Sequence, residues 1–262
     1  MQRWLERARE AVWPDWSAEE TNKIKLLFLE SLGRSFAGRG EEEGERLAEH
    51  LESFGGEEQA MLFASGRMVP APQAVLGNVM LGDQPLLFPT VLAAIEMQNK
   101  GGKELLSALG VGLEATARMG DHPQAECFGA IVGVANAFEL DEDGWQLLLG
   151  VLNHRDLTVR SGMARALFAH DLLMIGSLAR ELWSEERSER GEVPADWLAA
   201  INQSTDSEFP ALSKVIEVDQ QGMIAAFRER VAGKIPEPHI EYYIDAVMGM
   251  EDICCVPLFF RR

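Results

Sequence analysis

Residues 17–38, SAEETNKIKLLFLESLGRSFAG, decide the fold class. Ser17-Ala18-Glu19-Glu20 is a capping box: the Ser17 hydroxyl is placed to accept from the third helical amide, while Glu20 reaches back to the cap. Behind the box, Ile24, Leu27, Phe28, Leu32 and Phe36 recur at helical spacing, and Gly38 with Gly40 closes the segment. Working outward, Glu41 to Phe54 is a second amphipathic helix stopped by Gly55-Gly56. Only residues 60–69 read as strand: Met61, Leu62 and Phe63, a Ser65-Gly66 turn, then Met68 and Val69, which together predict one small β-hairpin.

From Pro70 the helical signals follow one another quickly. Leu105, Leu109 and Leu113 form an apolar stripe. Ala130, Val134 and Ala137 make a small-residue face on which another helix can approach closely. Leu147-Leu148-Leu149-Gly150-Val151-Leu152 is apolar all round, which predicts a helix at the centre of the core. A long helix is expected from about Leu157 to Trp183. Two amphipathic helices close the chain, one carrying Ile224, Phe227 and Val231, the other Ile240, Tyr243, Ile244, Val247 and Met248. Trp13 and Trp16, around Pro14, read as an apolar clasp on the first helix. No internal repeat is visible. The expected fold is all-α, a multi-helix domain spanning 1–262, with residues 184–210 forming a charged loop region.

Composition narrows the function classes. The chain has 262 residues, the upper edge of what one hydrophobic core serves. Twenty-four Lys plus Arg against 42 Asp plus Glu give a net charge of −18. Such a surface repels phosphate backbones and anionic lipid, so neither nucleic acid nor membrane is an expected partner. No apolar stretch reaches bilayer length, and Met1-Gln2-Arg3-Trp4-Leu5-Glu6-Arg7 does not resemble a secretory signal. Three cysteines (Cys127, Cys254 and Cys255), without disulfide or zinc spacing, fit a reducing cytoplasm, and all three read as small buried hydrophobes. His and carboxylate residues show no metal-ligand spacing. Gly110-Val111-Gly112 lies inside a helical pattern rather than after a strand. Neither metal nor cofactor is therefore expected.

The order of local patterns resembles the MmgE/PrpD family, which includes 2-methylcitrate dehydratase and cis-aconitate decarboxylase relatives. Leu29-Glu30-Ser31-Leu32-Gly33-Arg34-Ser35-Phe36-Ala37-Gly38 resembles that family's first core helix. Ala74-Val75-Leu76-Gly77-Asn78 is similar to its Ala…Asn-Gly helix. Phe88 to Glu96 and Gly102 to Ala108 resemble its Pro…Leu-Ala…Ala-Glu and Gly-x-Glu-Leu-Leu-x-Ala helices. His122-Pro123, Phe128-Gly129-Ala130 and Leu140-Asp141-Glu142 continue the same order. The match runs from about Glu20 to Leu182 and covers the family's helical domain only.

The departures concern chemistry. Where the family carries an acidic loop with a His-Pro, only Val79 to Leu87 intervene, leaving Asp83 as the single acid. Where it has an active-site lysine, Gly162-Met163-Ala164-Arg165 supplies an arginine, which does not deprotonate in a protein. Between Trp183 and Asp219 there is no room for the α/β lid domain that full-length members insert.

If a site exists, the resemblance implies His122, Arg165 and Asp83 as its catalytic residues. His122 would move a proton at a carbon next to a carboxylate. Arg165 would clamp that carboxylate, and Asp83 would act as acid or orienter. Each has a plainer reading: a helix-start histidine, a structural ion pair, and a turn aspartate. His154-Arg155-Asp156 reads as a cap and turn, His170 as the partner of an adjacent acid, and His239 as a helix-start residue. Two functions compete. One is a cofactor-independent lyase or isomerase (dehydratase, decarboxylase or epimerase) acting on a small carboxylate metabolite. The other is a non-catalytic homodimer or auxiliary subunit pairing with a full-length relative. A third possibility is a helical bundle binding an apolar ligand.

Overall fold

A computed structural model of the chain describes residues 2–11, 16–36, 38–82, 84–153, 162–182 and 219–260. The capping box forms as its residues dictate. Glu20 N donates to Ser17 Oγ at 3.2 Å and Ser17 N donates to Glu20 Oε2 at 3.0 Å, opening a helix over Ala18–Ser35. This is α2; α1 precedes it at Gln2–Glu10 and α3 follows at Glu42–Ser53. The hairpin is β1 (Ala60–Leu62) with β2 (Arg67–Val69), antiparallel, with Met61 opposite Met68. Five helices then succeed one another: α4 (Ala71–Gly82), α5 (Leu87–Met97), α6 (Gly102–Met119), α7 (Ala125–Ala137) and α8 (Glu142–Asn153). The long helix α9 spans Gly162–Leu182. The described chain resumes with α10 (Gln220–Val231) and α11 (Glu237–Met248), a 3-10 turn at Met250–Asp252, and the short α12 (Val256–Phe260). The fold is all-α with one small hairpin.

The centre is not where the apolar run at 147–152 places it. In α8, Leu148 and Leu149 are buried, but Gln146 and Leu147 are partly exposed. The helix enclosed on all sides is α5, in which every residue from Leu87 to Glu96 is buried. It packs against α4, α6, α7 and α9. Uniform apolarity marks a buried helix only when every face meets another element, and α5 has such neighbours.

A close contact joins α6 and α7, backbone to backbone. A Cβ on Gly112 would stand 2.9 Å from the Gly129 carbonyl oxygen, and a Cβ on Gly129 would stand 2.7 Å from the Gly112 oxygen. Any side chain at either position would force the helices apart. The small-residue face anticipated on α7 extends this approach: Val134, with Phe138, receives Gly176 of α9, where a Cβ would meet the Phe138 ring at 2.9 Å.

Around this centre, α10 and α11 lie on α2. Aromatic rings zip the hairpin to them. Phe36 meets Phe63 edge-on at 5.0 Å, Phe260 meets Phe63 at 5.3 Å, and Tyr243 meets Phe36 at 5.5 Å. At the other end, α1 lays Trp4 against Phe128 of α7 at 6.2 Å. Its terminal carbonyls, Ala8 O and Ala11 O, accept from the Asn136 amide at 3.1 and 3.3 Å, which satisfies groups a helix end leaves open. Trp16 is buried, while Trp13 lies outside the described residues. The charged region 184–210 also lies outside them. Among the described residues, no helix is long and apolar enough to cross a membrane.

Replacing Gly129 by alanine is expected to lower stability by about 1–3 kcal/mol, the usual effect of overpacking a filled contact. Urea unfolding checks this against Gly40→Ala, where a Cβ meets nothing but the positive φ of 77° adds local strain. If Gly129→Ala unfolds at the wild-type midpoint, the helix contact is looser than described.

Candidate functional site

Two polar residues organise the approach to α5. The first is Gln84, completely buried in the link between α4 and α5. Its side-chain oxygen accepts from the Ser31 hydroxyl, and its amide donates to Ser35 Oγ at 2.7 Å and to the Asn78 carbonyl at 3.1 Å. Asn78 in turn holds the hairpin: its amide donates to Met61 O at 2.8 Å, and its oxygen accepts from Phe63 N at 3.0 Å. The buried Glu96 carboxylate lies 3.4 Å from Met61 N, completing a polar seam from α2 across α4 to β1 and α5. Burial without partners would make these groups costly, and here they are satisfied by one another.

The second organiser is Glu126, in the first turn of α7. Its Oε1 accepts from Leu86 N at 2.6 Å, satisfying an amide at the start of α5. The same oxygen accepts from Arg165 Nη2 at 2.5 Å. Arg165 Nη2 also donates to the Gln84 carbonyl at 2.6 Å. One charge-assisted cluster therefore ties α5, α7 and α9 together.

Of the three predicted site residues, Arg165 is half-buried inside this cluster. His122 is half-buried in the turn leading into α7, four residues before Glu126; its Nδ1 accepts from Gln124 N at 3.2 Å. In that geometry the neutral ring carries its proton on Nε2, and protonating Nδ1 would remove the bond. Asp83 lies outside the described residues, as does His154-Arg155-Asp156. His170 Nδ1 sits 3.1 Å from Asp171 Oδ1, the adjacent-acid pairing read from the sequence. Glu126 and Gln84 were not anticipated. The signal for Glu126 was an acid in the first turn of a helix; Gln84 offered none beyond being the one amide side chain in a short link.

Three surface grooves among the described residues lie elsewhere. One, of about 490 Å³, separates the start of α6 from the 3-10 turn, with Lys103, Glu104, Asp252 and Cys254 on its walls. Another, of about 460 Å³, flanks the hairpin at Arg67 and Glu58. The third, of about 300 Å³, runs past Arg9, Ser107 and Asn136. His122 and Arg165 line none of the three. Among the described residues, no group of three His, Cys, Asp or Glu side chains is placed to hold a metal ion.

The cysteines divide. Cys127 is buried as read, but Cys254 is exposed and Cys255 partly so, because they occupy the bend between the 3-10 turn and α12. The Cys127 thiol is pushed up to about 12, chiefly by burial; the neighbouring Glu126 carboxylate adds to the shift and Arg165 opposes it.

Compared with protein-family models and with curated proteins, the chain matches none.

The raised thiol has a stability consequence. An unfolded cysteine ionises near pH 9, whereas Cys127 keeps its proton to about 12. Its contribution is complete below pH 9 and is lost as pH climbs toward 12, with a slope of up to about 1.4 kcal/mol per pH unit. Urea unfolding from pH 8.5 to 10.5 is expected to lose stability less steeply in Cys127→Ala than in the wild type; equal slopes would place the thiol in contact with water.

Proposed function

We propose that this chain is a non-catalytic helical module of MmgE/PrpD-like shape. It works in the cytoplasm by pairing helical surfaces, in a homodimer or as an auxiliary subunit of a larger relative. The observation that carries this reading is the Arg165–Glu126 bond. A guanidinium that clamps a substrate carboxylate needs its fork open toward a pocket. Arg165 instead has one nitrogen engaged with both the Glu126 carboxylate and the Gln84 carbonyl, and turning it to a ligand would take that donor from the carbonyl of the buried Gln84 and leave the Glu126 carboxylate without its cation. Arginine also leaves the site without the general base that lysine supplies in the family it resembles.

One observation favours the second reading, a lyase or isomerase of small carboxylate metabolites. His122 is partly exposed and lies in the turn into α7, four residues before Glu126. A base, a carboxylate and a cation thus sit along one stretch of the fold, a set able to remove a proton beside a carboxylate. Asp83 belongs to that reading as the possible acid.

The two readings separate in one experiment. Purified protein is incubated with a pool of small carboxylic acids, and mass spectrometry follows each component. The module reading expects no component to change beyond the buffer control, for wild type and His122→Ala alike. A component consumed by wild type and spared by His122→Ala would overturn it and establish the lyase.

A further inference from the structure

The groove of about 300 Å³ between the end of α1, the start of α6 and the end of α7 gathers positive charge on a chain of net charge −18. Arg9 lines it from the last turn of α1, Lys103 from the first turn of α6, and Lys100 from the link between α5 and α6. The three cations differ in what already holds them. Lys100 is engaged: its ammonium donates to the Ala137 carbonyl at 2.6 Å, capping α7, and to Glu139 Oε1 at 2.7 Å. Arg9 has only Glu142 Oε2 at 3.9 Å, beyond hydrogen-bond reach, and that side chain is 68% exposed. Lys103 is exposed; its charge acts on Glu251, but it makes no ion pair within 4 Å among the described residues.

Two carboxylates stand on the same walls. Glu139 is matched by Lys100. Glu104 folds back to the start of its own helix, where a Cβ on Gly101 would stand 3.0 Å from its Oε2. A carboxylate is favoured there, because the amides that open a helix carry partial positive charge. Arg9 and Lys103 are the cations left facing the groove.

Ser107 separates this groove from an ordinary surface depression. It is 5% exposed, and it lines the groove. A buried helical hydroxyl commonly bonds back to the carbonyl four residues before it, as those of Ser35, Thr90 and Thr116 do. Ser107 does not, and among the described residues its hydroxyl has no hydrogen-bond partner. It follows Lys103 by four residues, so ammonium and hydroxyl lie side by side on one face of α6. Across from them Asn136 holds Ala8 O and Ala11 O, which fixes the end of α1 and with it the backbone that carries Arg9.

We propose that this groove binds a small dianion, a dicarboxylate or a phosphate, through the Arg9 guanidinium, the Lys103 ammonium and the Ser107 hydroxyl. The planar guanidinium fork suits two oxygens of either group, and two cations match two negative charges. A volume of about 300 Å³ stands at the low end for ligand pockets and admits a molecule of a few carbons. His122 and Arg165 take no part in it, and it is independent of how the chain pairs.

Calorimetric titration of the full chain with succinate, and separately with inorganic phosphate, tests the proposal and tells the two ligand classes apart. At least one is expected to bind, one ion per chain, with a Kd on the order of 0.1–1 mM in low-salt buffer, and more weakly as salt is added. Arg9→Gln is expected to weaken binding at least about 10-fold, and Ser107→Ala about 3- to 10-fold. Lys103→Glu, at an exposed position that tolerates substitution, is expected to abolish it. Arg67→Gln removes one positive charge beside the hairpin, outside the groove, and is expected to bind as wild type does.

A wild type that binds neither anion up to about 10 mM overturns the proposal. Binding left unchanged by Lys103→Glu and Ser107→Ala also overturns it. So does binding that Arg67→Gln weakens as much as Arg9→Gln, since the anion would then answer to net charge alone. If Arg9→Gln fails to fold, Lys103→Glu and Ser107→Ala decide the matter.

Discussion

The approach of α6 to α7 at Gly112 and Gly129 is the constraint on which the other packing rests. With the two backbones within carbonyl reach of each other, α7 lies deep enough for α5 to close against both helices. Gly133 repeats the arrangement one turn on, where a Cβ would press into Val91 and Leu87 of α5. The helix α9 then settles on α7 through Gly176. Four helices thus share a core made possible by the absence of side chains at a few positions, and the large residues (Phe128, Phe138, Leu87) fill the space around those contacts. Interiors packed this closely leave little room for adjustment, so the register of each helix is fixed by its neighbours.

Given that core, the polar side chains that enter it have defined tasks. Asn78 pins the hairpin, Gln84 joins α2 to the end of α4, and Glu126 fastens the start of α5 to α9 through Arg165. Each satisfies backbone amides or carbonyls that irregular links leave open. The same economy explains why His122, at the entrance to α7, accepts the Gln124 amide and so shapes its own turn.

Much of the fold was legible because its signals are local. The Ser17 box, the Gly55-Gly56 stop and the Ser65-Gly66 turn each specify backbone geometry within a few residues, and all appear where read. Helix α1 was not read as a separate element, since Trp4 and Ala8 acquire their meaning only from Phe128 and Asn136, more than 120 residues away. The placement of the central helix failed for the same reason: apolarity shows that a segment prefers burial, not which segment obtains neighbours on every side. The candidate site was legible in part. Arg165 was read with a structural ion pair as its plainer role, but its partner Glu126 emerges only from the packing of α7 on α9, and Gln84 from the burial of a link that looks like an ordinary turn.

Arg165 is committed to Glu126 and to the Gln84 carbonyl. A double-mutant cycle on Arg165→Met and Glu126→Gln, measured by urea unfolding, tests that commitment most directly. The two side chains are 17 and 39% exposed, so screening by solvent trims their interaction without abolishing it. A coupling energy of about 1–2 kcal/mol is predicted, together with a loss in each single variant. Coupling indistinguishable from zero would contradict the Arg165–Glu126 bond, since the guanidinium would then be uncommitted and open to a ligand.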